Sequence, residues 1–206
     1  MSDIKAKYPA LELTIELLDM PEPVTRSVWV RTGTSLRELH HIIQAVMPWD
    51  SEHLYFFSKT VKGSTMQLGD TRLWDGDMPE SNDDLLHFVE DYFVMIGQKL
   101  NYVYDIGDHW EHEIVLTGIN IDPLAMPYLP MVSKGAGVCP PEDCGGPSGY
   151  LDILEALKNK RTAKYKSTKA WLNSYGWSGT PFDLNECQLN LAYMKSEMMD
   201  LYNIFE

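Results

Sequence analysis

The chain has 206 residues, 44% hydrophobic and 23% charged, with a net charge of −13 at pH 7. That length and balance fit one globular domain with a real core. They argue against a general nucleic-acid surface, which neutralises phosphates with Lys and Arg; no apolar run approaches the ~18 residues of a membrane span.

The polar stretch over residues 1–7 reads as a short tail without the apolar core of a secretory signal. The expectation is a cytoplasmic protein with a single domain over residues 8–206. From Leu11 to Leu17 apolar and polar residues alternate, the pattern of a half-buried strand. Thr25 to Arg31 reads as its hairpin partner, with Val28 and Val30 inward. Thr34 or Ser35 caps a helix to about Met47, whose apolar stripe is Leu36, Leu39, Ile43 and Val46. His40 borders the stripe, and Pro48 stops the helix. His53 to Phe57 is an aromatic strand and Met66 to Leu68 a short further one. Strand, strand, helix, strand is the order of a β-grasp-like α+β core.

The next stretch is acidic. Asp75, Asp77, Glu80, Asp83, Asp84, Glu90 and Asp91 follow one another with no Lys or Arg from Leu73 to Gln98. Ser81 is placed to cap a helix from Asn82 to about Ile96, with Leu85, Phe88, Val89, Tyr92 and Ile96 buried and Gly97 at its end. Leu100–Tyr104 and Trp110–Thr117 form a hairpin across a Gly107-Asp108 turn. Residues 122–149, with six prolines and five glycines, read as one long loop, and loops of that length tend to be functional. Helices follow at Tyr150–Leu157 and Ala163–Tyr175, the second with Trp171 buried. Asp183 caps a last helix whose apolar residues (Leu184, Cys187, Leu191, Met194, Met198, Leu201) form a seam suited to the core or to self-association. Lys158, Lys160, Arg161, Lys164, Lys166 and Lys169 read as a solvated surface. The fold class is therefore α+β: a mixed or antiparallel sheet with helices packed on it and a helical C-terminal third.

Two islands hold most of the unusual polar chemistry: Tyr104 to His112, and Cys139 to Tyr150. Strand alternation puts Trp110 and His112 on the inner face. An inward histidine needs a partner for its ring, either a backbone carbonyl or the carboxylates of the second island. Pro140-Pro141-Glu142-Asp143 is a rigid loop that presents two carboxylates before the helix opened by Gly149-Tyr150. These residues define a candidate polar cleft of Asp105, Asp108, Trp110, His112, Glu142, Asp143 and Tyr150. Two metal sets are conceivable by residue type: His109 and His112 with Cys139 and Cys144 for zinc, and Asp105, Asp108, Glu142 and Asp143 for a hard cation. His109 and His112 are an odd number apart, so a regular strand points them to opposite faces. No metal or other cofactor is required by the pattern. Cys139 and Cys144 sit beside acidic residues, which disfavour a reactive thiolate, and no nucleophile motif is present.

The two islands resemble those of the Ri-plasmid ORF-three-like family, whose members often carry the label of transposon passenger proteins of TnpR, or resolvase, type. Matching positions are Pro23, Arg26, Leu36, Leu39-His40, Ile43-Gln44, Trp49 and His53-Leu54. They continue through Tyr104-Asp105, Gly107-Asp108, Trp110, His112, Cys139 to Gly146, Gly149-Tyr150, Phe182-Asp183 and Asn190. The chain departs from the family at Thr25, where a Trp is usual, and at Ile106, where a Phe is usual. The resemblance implies a single α+β domain and no established activity. A serine recombinase needs an arginine cluster and a basic DNA-binding segment, and this chain has only five arginines. The expected function is a non-enzymatic binding or interaction domain. The alternatives are a metal-assisted hydrolase built on the same residues and, more remotely, a DNA-binding accessory of a mobile element.

Overall fold

In a computed structural model, which describes residues 10–74, 76–121, 126 and 128–203, the chain folds around one seven-stranded antiparallel sheet. Its strands are β1 (Ala10–Leu17), β2 (Val24–Arg31), β3 (Tyr55–Val61), β4 (Ser64–Leu68), β5 (Lys99–Tyr104), β6 (Trp110–Asn120) and β7 (Met131–Ala136). Their spatial order is β4-β3-β5-β6-β1-β2-β7. The helices are α1 (Leu36–Val46), α2 (Val89–Tyr92), α3 (Gly146–Leu157), α4 (Ala163–Tyr175) and α5 (Leu184–Asn203). The single α+β domain with an antiparallel sheet matches the expectation from sequence. The tail over residues 1–7, Asp75 and the side chain of Leu201 lie outside the described residues.

The alternation in β1 decides which way the sheet faces. Leu11, Leu13, Ile15 and Leu17 are all buried, while Glu16 points to solvent. β1 runs antiparallel between β2 and β6, with Leu13 opposite both Val28 and Leu116. The strand after α1 joins through β5 rather than beside the first hairpin, so β5 and β6 separate β3 from β1. Ser35 caps α1 by accepting the Glu38 N–H at 3.1 Å, and Leu36, Leu39, Ile42, Ile43 and Val46 are wholly buried. Their spacing makes the apolar stripe that α1 lays on the sheet.

Three expectations fail for identifiable reasons. The helix over Asn82–Ile96 is broken into short 3-10 turns (Glu80–Asn82, Asp84–Leu86) and the single turn α2. Asp83 is extended and Asp84 opens a 3-10 turn, and both carboxylates reach Arg37, at 3.0 and 2.8 Å. Leu85 and Ile96 are consequently exposed, not buried. The segment 122–149 is not all loop: β7 lies within it and pairs with β2, Thr25 opposite Ala136. In α4, Leu172 is the wholly buried residue and Trp171 is only half-buried.

The C-terminal seam is used inside the chain. α5, capped by Asp183 accepting the Glu186 N–H at 2.9 Å, packs on α1 and β7. Cys187 and Leu191 are buried there, and the Gln188 side chain accepts the Val132 N–H at 3.0 Å. Cys187 and Leu191 of the seam are thereby spent inside the chain, whereas Leu184 at its start is exposed. Among the described residues, no helix is long and apolar enough to cross a membrane.

Candidate functional site

Close backbone packing joins the two islands. Asp108 accepts the Gly145 N–H at 3.0 Å. A Cβ on Gly146 would stand 2.2 Å from the Asp108 carbonyl oxygen, and one on Gly149 would stand 1.7 Å from that of Cys144. Only glycine lets the β5–β6 turn rest on the start of α3 while the loop folds back onto that helix.

A third segment, unrecognised from sequence as part of the site, completes the arrangement. Residues 49–53, just past α1, clasp the proline-rigid loop along its length. The Trp49 Nε1–H donates to the Pro140 carbonyl at 3.0 Å. The Asp50 N–H donates to Glu142 Oε2 at 2.8 Å. His53 Nε2 lies 3.1 Å from Asp143 Oδ1, and His53 Nδ1 lies 3.8 Å from Asp105 Oδ2.

Glu142 is buried at the centre. The hydroxyls of Tyr104 and Tyr175 donate to its two carboxylate oxygens, the latter at 3.3 Å. Burial raises its pKa above the ordinary carboxylate value, against the opposing pull of the Tyr104 and Asp50 donors. Glu142 also lines a cleft of about 220 Å³ between the loop and the chain leaving α4; Arg26, Cys139, Tyr175, Trp177 and Phe182 line it too. Arg26 is buried at its back. Its guanidinium donates to the carbonyls of Val46 (2.9 Å), Thr25 and Ala136 (both 2.8 Å) and lies over the Phe182 ring.

The sequence-selected residues divide. Glu142 faces the cleft. Asp105 and Asp143 meet beside it with His53. Asp108 serves as the clasp to Gly145. Trp110, His112 and Tyr150 belong to the core, with 0, 1 and 4% exposure. His112 does not bond the Glu142–Asp143 loop. Its Nδ1–H donates to the Trp110 carbonyl at 3.0 Å, the backbone alternative, and the Trp49 ring packs edge-on against it. Burial lowers its pKa to about 4.

Neither metal set survives as drawn. His109 pairs with Glu111 on the surface. The Cys139 thiol is buried against Met47, 3.9 Å away, and burial raises its pKa; that of Cys144 is raised to about 12 by the same cause. In the carboxylate set, Asp108 and Glu142 are engaged elsewhere, and His53 stands with the remaining two.

A family model described as plasmid pRiA4b ORF-3-like protein matches residues 9–190. The chain belongs to that family. The uncharacterised protein y4hQ of Sinorhizobium fredii (strain NBRC 101917 / NGR234) is 36% identical to it over 177 residues, 85% of this chain and 86% of its relative. The crystal structure of MM3350, a protein of unknown function from Methanosarcina mazei Go1, superposes with a TM-score of 0.71 at 27% identity, covering 86% of this chain and 96% of that one. The family match thus extends the resemblance carried by the two islands over residues 9–190. Neither relative's name carries an activity, so a functional reading has to come from geometry.

Sequence reasoning left His53, Tyr175 and Arg26 out of this region and gave Tyr104, which opens the first island, no part in the cleft. Three of them, Arg26, His53 and Tyr104, stand among the positions that carry the family resemblance. That was the available signal, because partners such as Tyr104 and Tyr175, 38 and 33 positions from Glu142, leave no local pattern.

Proposed function

We propose that this family member is a non-enzymatic binding domain whose ligand occupies the cleft between the Cys139–Glu142 loop and the chain leaving α4. The observation that carries this reading is Glu142: a buried carboxyl held by Tyr104, Tyr175 and the Asp50 N–H at the wall of a concave, partly aromatic cleft. Convergent polar groups and a carboxyl with raised proton affinity in an apolar setting are the usual marks of a ligand site. The cleft volume of about 220 Å³ falls below the ~300–1,000 Å³ of drug-sized and cofactor sites. A small polar molecule fits; a dinucleotide does not.

Thermal unfolding of the protein in the presence of small organic acids, amino acids, sugars and polyols tests this. At about a hundred times its Kd, a ligand adds ~2.7 kcal/mol. At least one class is expected to raise Tm, and Tyr175→Phe together with Glu142→Gln is expected to remove the rise. No stabilisation by any class, or a rise that persists in both variants, overturns the reading.

The metal-assisted hydrolase is a second reading, supported by Glu142, a buried carboxyl of raised proton affinity one residue from Asp143, which pairs with His53. Hydrolysis of nitrophenyl esters or phosphates that depends on an added divalent ion and on Glu142 would favour it over simple binding.

A further inference from the structure

We propose that His53, Asp105 and Asp143 form a three-ligand site for a divalent transition-metal ion of the zinc and manganese class. One donor atom from each of the three lies within 4.8 Å of the others. Ligands around such an ion, at ~2.0–2.2 Å from it, stand about 3–4 Å apart. His53 Nε2 stands 3.1 Å from Asp143 Oδ1, while Asp105 Oδ2 faces the other ring nitrogen, Nδ1, at 3.8 Å, so binding turns the ring to bring one nitrogen to both carboxylates. His53 and Asp143 have 32 and 60% of their side-chain surface exposed, so their side-chain rotation is free to close the rest.

Asp105 brings to the cluster a carboxylate held in place on one oxygen and left without a protein donor on the other. The residue is 8% exposed. Its Oδ1 accepts the N–H groups of Gly107 at 2.8 Å and Asp108 at 3.3 Å, which fixes the orientation of the carboxylate. Its Oδ2 accepts no hydrogen bond among the described residues and is aimed at the His53 ring, 3.8 Å away and too far for a hydrogen bond. The Asp105 side chain keeps 11% of its surface exposed, so this oxygen, which no protein group serves, is open to an ion from solvent.

The donor chemistry selects the ion. One imidazole nitrogen with two carboxylate oxygens suits zinc, manganese, iron or cobalt; magnesium and calcium favour all-oxygen shells, and Cys thiolates are absent from the cluster. Three protein ligands leave coordination positions open, the arrangement of a site that holds water or a ligand rather than a closed structural centre. The three residues come from separate parts of the chain: the stretch after α1, the β5–β6 turn and the proline-rigid loop. An ion would therefore tie together the segments that assemble the site. None of the three lines the cleft beside Glu142, so the metal site stands or falls independently of the small-ligand reading.

The protein, produced without a polyhistidine tag, is stripped with a chelator, exposed to zinc or manganese, desalted and assayed for metal. Cobalt substitution followed by visible absorption reports the coordination. The expected result is about one equivalent bound by the wild type and by His109→Ala, whose exposed imidazole lies outside the cluster. Asp143→Asn and His53→Gln should bind about tenfold or more weakly. Circular dichroism separates lost binding from lost folding, and the exposure of Asp143 makes its variant safe in that respect. Less than about a tenth of an equivalent in the wild type, or equal uptake by folded Asp143→Asn and His53→Gln, overturns the proposal. The first of these outcomes would show that His53 and Asp143 are only an ion pair.

Discussion

Around Arg37, three aspartates crowd together with every carboxylate oxygen supplied by a donor; around His53, two aspartates meet and an oxygen is left over. In the first cluster Asp84 takes Arg37 Nε at 2.8 Å and the Tyr55 hydroxyl at 2.5 Å. Asp83 takes Arg37 Nη2, the Leu85 N–H and the Thr71 hydroxyl. Asp70 takes both Arg37 and Arg72. In the second, Asp105 Oδ2 has only a distant imidazole before it. Both clusters are aspartate-rich, yet only the first carries its own arginines. A cluster with resident cations is a fastening of the fold, here tying the acidic stretch to α1. A cluster without them has capacity for something from outside.

The contrast can be broken experimentally, and the largest effect belongs to the closed cluster. Arg37→Ala would strand Asp84, which is wholly buried, and should cost about 3–5 kcal/mol in urea unfolding. A loss within that of an ordinary surface substitution would make the cluster no more than decoration.

The core histidine gives the next effect. Burial holds His112 neutral, its pKa about 4 against 6.5 when unfolded. As pH falls, the unfolded chain takes up the proton first, so stability drops between about pH 6.5 and 4. The contribution is on the order of 3 kcal/mol. His40, whose pKa burial also lowers, pulls the same way. Glu142 and Asp84 have raised values, so they favour folding at low pH and lose that contribution as pH rises. The comparison to make is therefore wild type against His112→Gln, which should lose stability less steeply over that window. Equal slopes would remove His112 from the account.

Gly149→Ala should cost about 1–3 kcal/mol, because the new Cβ meets the Cys144 carbonyl at 1.7 Å. Its signature would be faster proteolysis between Cys139 and Gly149, as the loop leaves its clasp. The smallest effect sharpens the contrast most. Asp143→Asn touches a largely exposed ion pair and should change unfolding free energy by less than about 0.5 kcal/mol, yet remove metal uptake. A large stability loss from this change would mean that the open cluster is another fastening.

Legibility from sequence followed how local each interaction is. β1, β2 and α1 were readable because alternation, the Ser35 cap and the stripe from Leu36 to Val46 all act within a few residues. The Asn82–Ile96 helix was misread because Asp83 and Asp84, good residues for a helix N-terminus, are claimed by Arg37, 46 and 47 positions away. β7 was invisible because a short edge strand in a Pro- and Gly-rich stretch has no alternation of its own; pairing with β2 creates it. At the site, Asp105, Glu142 and Asp143 stood out as carboxylates in rigid turns. The inward face of His112 was read correctly, but the Trp110 carbonyl two residues away takes its Nδ1–H, and its buried Nε2 has no hydrogen-bond partner among the described residues.

By itself, then, the sequence determined the α+β class, the first hairpin and the helix that covers it, since periodicity and caps are short-range constraints. Only the tertiary structure decided which acids keep a free oxygen. That depends on whether a distant arginine, tyrosine or histidine arrives beside each one, and chain spacing does not encode such an encounter. Arg37 reaches Asp84 and closes one cluster; His53 reaches Asp143 and leaves the other open.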